Sequence, residues 1–203
     1  MPQPLHYLKE TPSQTAGPYV HIGLAPAAAG FDIYRRELGT QIAADDTPGP
    51  RVRITGRVID GMGAPVKDVL IEIWQADANG IYPHPGDPRH ADAAPGFRGF
   101  ARVIPDFDSG EFTIDTIKPG PVPMKGGAVA APHLNLWLVA RGINLGLSTR
   151  LYFGDEDNAA DPVLNLIEQV DRRRTLIAER TADGLYRFDI RLQGDNETVF
   201  LDV

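Results

Sequence analysis

The stretch Val69-Leu70-Ile71-Glu72-Ile73-Trp74-Gln75 decides the fold class. β-Branched and aromatic residues fill it, and an extended backbone sorts them into two faces. Val69, Ile71 and Ile73 share one face; Leu70, Glu72 and Trp74 share the other. Gly61-Met62-Gly63-Ala64-Pro65 reads as a turn before it, and a long Pro/Gly/Asp-rich segment, 77–96, follows.

The same period recurs outward. Val52, Ile54 and Val58 alternate with polar residues through Asp60. Strands are expected at 100–104 and 110–114, joined by an acidic turn at 106–109. Residues 119–132 form a second long irregular loop. Two strong strands follow, at 133–140 and 148–153, around Arg141-Gly142-Ile143-Asn144. Residues 185–192, L-Y-R-F-D-I-R-L, alternate cleanly, and 197–201 close the chain as a strand. Asp161-Pro162 supplies a helix cap and a first-turn proline, and Asp171 is placed to cap a second short helix through 172–179. Seven or eight strands with one or two short helices predict a mainly β protein with an antiparallel β-sandwich core over 51–203. Residues 1–50 are punctuated by seven prolines but carry Tyr7, Leu8, Tyr19, Val20, Ile22, Phe31 and Ile33, which predicts an irregular arm that packs on something.

Composition narrows the function classes. The 203 residues contain no cysteine, which excludes disulfides, thiolate nucleophiles and Cys-ligated metals. A net charge of −7 argues against general binding to nucleic acid or an anionic membrane. No apolar run approaches the ~20 residues of a membrane helix, and residues 1–10 lack the pattern of a secretory signal, so a cytoplasmic location is expected. No G-x-S-x-G elbow, P-loop or Rossmann fingerprint is present. The five histidines show neither HxH nor HExxH spacing. His133 and Asn135 lie on one face of an apolar strand. They are either a buried histidine with a local hydrogen bond, or a metal position whose strand neighbour is no longer a ligand. Arg141, at a strand end before a glycine, suits either an anion anchor or a structural ion pair. Arg172-Arg173-Arg174 reads as a solvated face, and the glycines near Lys118 and Lys125 as ordinary turns.

Several phrases resemble the intradiol ring-cleavage dioxygenases. They are E-T-P-S-Q-T-A-G-P-Y at 10–19, E-I-W-Q-A-D at 72–77, T-I-K-P-G-P at 116–121, A-P-H-L-N at 131–135, A-R-G-I-N at 140–144, T-R-L-Y-F at 149–153 and Y-R-F-D-I at 186–190. They occur in the family's order and span nearly the whole chain. The resemblance implies a β-sandwich and a non-haem Fe(III) held by two tyrosines and two histidines. Mapped one by one, Tyr82 fits the first tyrosine and His133 the first histidine. Val122 stands at the second tyrosine and Asn135 at the second histidine, and Ala130 and Ala131 stand where an arginine usually precedes the histidine pair.

With two of four ligands replaced, the resemblance is to the iron-free alpha chains of the family's two-chain members. It implies that this chain binds no metal, has no catalytic residue of its own, and pairs with a homologous iron-binding beta chain in an αβ hetero-oligomer that holds the Fe(III). The implied activity of the pair is O₂-dependent cleavage of 3,4-dihydroxybenzoate to 3-carboxy-cis,cis-muconate. Thr15, Gly17, Pro18 and Arg141 are the implied substrate-pocket residues, and residues 1–50 the arm that reaches the partner. Two other readings stand beside it: a non-catalytic β-sandwich that binds a small molecule, and an independent metalloenzyme using Tyr82, His133 and carboxylates such as Asp77.

Overall fold

A computed structural model describes residues 14–17, 19–33, 39–144 and 146–202. Nine strands join in one sheet. They are β1 (Arg51–Ile59), β2 (Leu70–Gln75), β3 (Phe100–Val103), β4 (Glu111–Ile117), β7 (His133–Val139), β8 (Leu147–Phe153), β9 (Ile177–Ala182), β10 (Leu185–Arg187) and β11 (Ile190–Arg191). The order is β11-β1-β10-β9-β8-β7-β2-β3, with β4 on the other side of β1. A small hairpin of β5 (Val122–Pro123) and β6 (Val129–Ala130) lies in the loop before β7.

Alternation explains how the halves meet. β1 reads exposed-buried along its length, sending Val52, Ile54 and Val58 inward, and β4 sends Phe112 and Ile114. From the other half, Ile71 and Ile73 of β2, Leu134, Leu136 and Leu138 of β7, and Leu151 and Phe153 of β8 enter the same core. Each such side chain, buried to 2% exposure or less apart from Val52 at 5%, contributes about 1.5–3 kcal/mol of apolar burial. The mainly β, sandwich-like core is as expected.

The pairing is mixed rather than uniformly antiparallel. β1 runs parallel to β10 and β11, and β8 runs parallel to β9. A parallel pair needs a long crossover, and residues 154–176 supply it between β8 and β9. This crossover holds α2 (Val170–Arg173) and two single 3₁₀ turns. The helix expected through 172–179 therefore stops early: Ile177 and Ala178 pair with Tyr152 and Phe153 instead. The strand expected at 197–201 reduces to one bridge, Ser148 to Leu201.

Within the first 50 residues, α1 (Val20–Leu24) and a 3₁₀ turn at Pro26–Ala29 are the described helical pieces. Ile42 and Ala43 are buried in this chain's own core, where Ala43 bridges Phe97 and Ile42 accepts a hydrogen bond from Arg98 N. Among the described residues no helix is long and apolar enough to cross a membrane.

Candidate functional site

The outer face of β2, β7 and β8 carries the side chains that the core does not take. On β2 they are Glu72 and Trp74, on β7 His133, Asn135 and Trp137, and on β8 Ser148, Arg150 and Tyr152. Tyr82 reaches this face from the loop after β2. Asp77, fully buried, accepts hydrogen bonds from the amides of Asn79, Ile81 and Ala94, so it shapes that loop. Its carboxylate is thus committed to backbone, which removes it as a metal ligand. At Gly80, φ is +72° and a Cβ would lie 2.0 Å from Pro121 O. Gly120 is equally tight, 2.4 Å from Ala78 O. The two glycines let the Tyr82 loop and the Val122 loop lie back to back.

The polar groups form one chain of hydrogen bonds. His133 Nδ1 lies 2.7 Å from Ala131 O, so Nδ1 carries the proton and Nε2 is an acceptor. Tyr82 Oη, 3.4 Å from Nε2, donates to it. Asn135 Nδ2 donates to Tyr82 Oη (3.2 Å) and to Trp74 O (3.2 Å). Its Oδ1 accepts from Arg150 Nε at 3.0 Å. Arg150 Nη1 donates to Tyr152 Oη, which in turn donates to Asp161. Asp161 also receives the amides of Ala131, Val163 and Leu164; the helix expected to start at Asp161-Pro162 is a single 3₁₀ turn, Leu164–Leu166, with Val163 at its cap position. Trp74 stacks on Tyr82 with centroids 5.5 Å apart.

Electrostatics keep this network neutral at its centre. Burial, then the Arg150 charge, lowers the His133 pKa to about 4. Burial raises Tyr82 above the usual phenol range, against the pull of Asn135 and Arg150. Tyr82 is therefore a protonated phenol and His133 a neutral imidazole.

A ferric ion asks for anionic oxygens and imidazoles around an open position. These residues do not fit it. Val122 has no donor atom, Asn135 aims its amide N–H at the phenol, and the Arg150 guanidinium holds a positive charge within the network. Among the described residues no three His, Asp or Glu side chains converge on a metal-sized space.

Thr15 and Arg141 lie elsewhere. Thr15 Oγ1 accepts from Gly142 N at 3.0 Å and lies 3.3 Å from Ala140 O, tying the arm to the far end of β7. Arg141 pairs with Asp68, in the turn before β2, and its side chain remains two-thirds exposed. Gly17 is half-buried, and a Cβ there would meet nothing within 4 Å. Pro18 lies outside the described residues. Arg141 is eight residues along the chain from His133, about 25 Å at strand rise. The two groups of candidate residues thus sit at opposite ends of one strand and do not form a single pocket in this chain. Sequence reasoning missed Arg150 and Asp68. Arg150 was visible as a charge on a strand and Asp68 as one in a turn, but only the fold shows what they face.

Comparison with known proteins places these features. Residues 32–194 match the family profile described as Dioxygenase. The protocatechuate 3,4-dioxygenase alpha chain of Pseudomonas putida is 52% identical over 98% of this chain and 99% of its own length. The beta chain of the Burkholderia cepacia enzyme is 35% identical, over 74% of this chain and 67% of its own. Among solved structures, the dioxygenase domain of a dioxygenase–carbohydrate-binding fusion from Streptomyces sp. SirexAA-E covers 94% of this chain and 100% of its own, with a TM-score of 0.54 at 24% identity, a likeness of fold.

Proposed function

This chain belongs to the intradiol ring-cleavage dioxygenase family, and we propose that it is the iron-free alpha subunit of an enzyme that opens 3,4-dihydroxybenzoate with O₂. The ferric ion is held by a homologous beta chain. The observation that carries this reading is the disabled donor set: Tyr82 and His133 remain, Val122 and Asn135 replace their partners, and Arg150 supplies a fixed cation beside them.

The substrate-facing part is then the other end of β7. Thr15, Gly17, Pro18 and Arg141 would complete a pocket whose iron belongs to the beta chain. Thr15 fixes the arm to Ala140 and Gly142, Gly17 leaves open space for a flat ring, and Arg141 offers an exposed guanidinium to the substrate carboxylate. Asp68 holds that guanidinium in place before substrate arrives. Residues 1–50 serve as the arm toward the partner. Exposed Tyr19, Phe31 and Ile33 support this for the described stretch 19–33, whereas Ile42 and Ala43 belong to this chain's own core. A cytoplasmic place of work is part of the same proposal and rests on the cysteine-free composition.

When bound in the beta chain, the iron supplies the activation of the catecholate toward O₂. This chain's residues bind and orient the ring and exclude water. Co-expression tests the reading. A tagged copy of this chain should retrieve an equal amount of a chain with iron–tyrosinate colour, and the pair should cleave 3,4-dihydroxybenzoate. Recovery of a colourless, stable monomer from cells that make both chains would overturn it and favour a stand-alone binding module.

A further inference from the structure

A cavity of about 610 Å³ opens on the outer face of β2, β7 and β8, within the size range of small-ligand sites. Its walls are aromatic: Trp74 stacked on Tyr82, with Trp137 and Phe100 beside them. Its charged floor is Arg150. Among the described residues Arg150 hydrogen-bonds to two neutral groups, Asn135 Oδ1 and Tyr152 Oη, and forms no ion pair with a carboxylate. The nearby Glu72 is taken by Arg102 at 2.7 Å, and Asp202 lies exposed at the rim. The buried Asp161 carboxylate reaches Arg150 only through Tyr152 Oη and also receives three backbone amides, so an anion in the cavity would give the half-buried guanidinium a direct partner beside apolar walls.

We propose that this cavity binds a planar aromatic carboxylate. The carboxylate sits on the Arg150 guanidinium, and the ring lies among Trp74, Tyr82 and Trp137. No chemistry is assigned to the site, since Tyr82 and His133 are neutral and hydrogen-bonded to each other. The inference stands on Arg150 and the aromatic walls, and is independent of the role given to Arg141.

The molecule carries its own reporter. Both of its tryptophans line this cavity. Benzoate titrated into the full chain should change tryptophan fluorescence saturably. Benzyl alcohol, which keeps the ring without the charge, and inorganic phosphate, which keeps charge without the ring, should each bind at least about ten-fold more weakly. Arg150→Gln should weaken benzoate about ten-fold and Arg150→Lys less. Ser148→Phe, which fills the cavity and leaves Arg150 in place, should abolish the response, while Arg141→Ala should leave it unchanged. If Arg150→Gln does not fold, Ser148→Phe decides alone. No saturable response to benzoate, equal binding of benzyl alcohol or phosphate, or an unchanged titration in Ser148→Phe would overturn the proposal.

Discussion

Two side chains carry most of the functional argument, and each makes a prediction. Arg141 was legible as a candidate anion anchor because it ends the strongest apolar strand. Its partner Asp68 was not, since 73 residues separate them. In the assembled enzyme, Arg141→Ala should raise KM for 3,4-dihydroxybenzoate by about 30-fold, or ~2 kcal/mol, with little effect on plain catechol. Equal changes for both substrates would remove the anchor role. His133 was legible as a buried histidine. Its pKa falls to about 4 from an unfolded 6.5 because burial and Arg150 disfavour the charged form. Between those values the unfolded chain binds a proton that the folded chain refuses. Its contribution is therefore full above pH 6.5 and is lost as pH drops toward 4. The loss is on the order of 3 kcal/mol. His133→Gln should flatten the dependence of urea-unfolding stability on pH across that window. An unchanged slope would show that another group titrates there.

At the level of elements, local strand signals were readable: β1, β2, β3, β4, β7 and β8 lie where strands were expected, with β4 running on to Ile117. Elements defined by a distant partner were not. Ile177–Ala182 carries helix formers, yet the edge of β8 captures it as β9. The 185–192 alternation is cut at Phe188-Asp189 because β10 and β11 pair with successive parts of β1. Arg150 escaped notice for the same reason, since its place opposite Asn135 is a fact of register. The Tyr82 loop depends on backbone approach rather than on period. Gly80→Ala would put a Cβ 2.0 Å from Pro121 O at a positive φ. It should cost more than about 2 kcal/mol in urea unfolding and disturb the fluorescence of the stacked Trp74. A change below about 0.5 kcal/mol would mean that the two loops separate freely.

Across the whole molecule, one sandwich presents two unlike ends of the same strand. One end holds Tyr82, His133 and Asn135 in a neutral hydrogen-bonded network beside the Arg150 guanidinium, which under the proposed function is a disabled metal site. The other end holds an exposed cation and a tethered arm, which under the proposed function a second chain completes. This division follows from four side chains, Val122, Asn135, Arg150 and Arg141, more than from any change of fold. Metal analysis of this chain purified alone, set beside the assembled enzyme, is the most direct test. The account predicts negligible iron in the isolated chain and one ferric ion for each pair of chains in the complex. Stoichiometric ferric ion and ring cleavage in the isolated chain would contradict it.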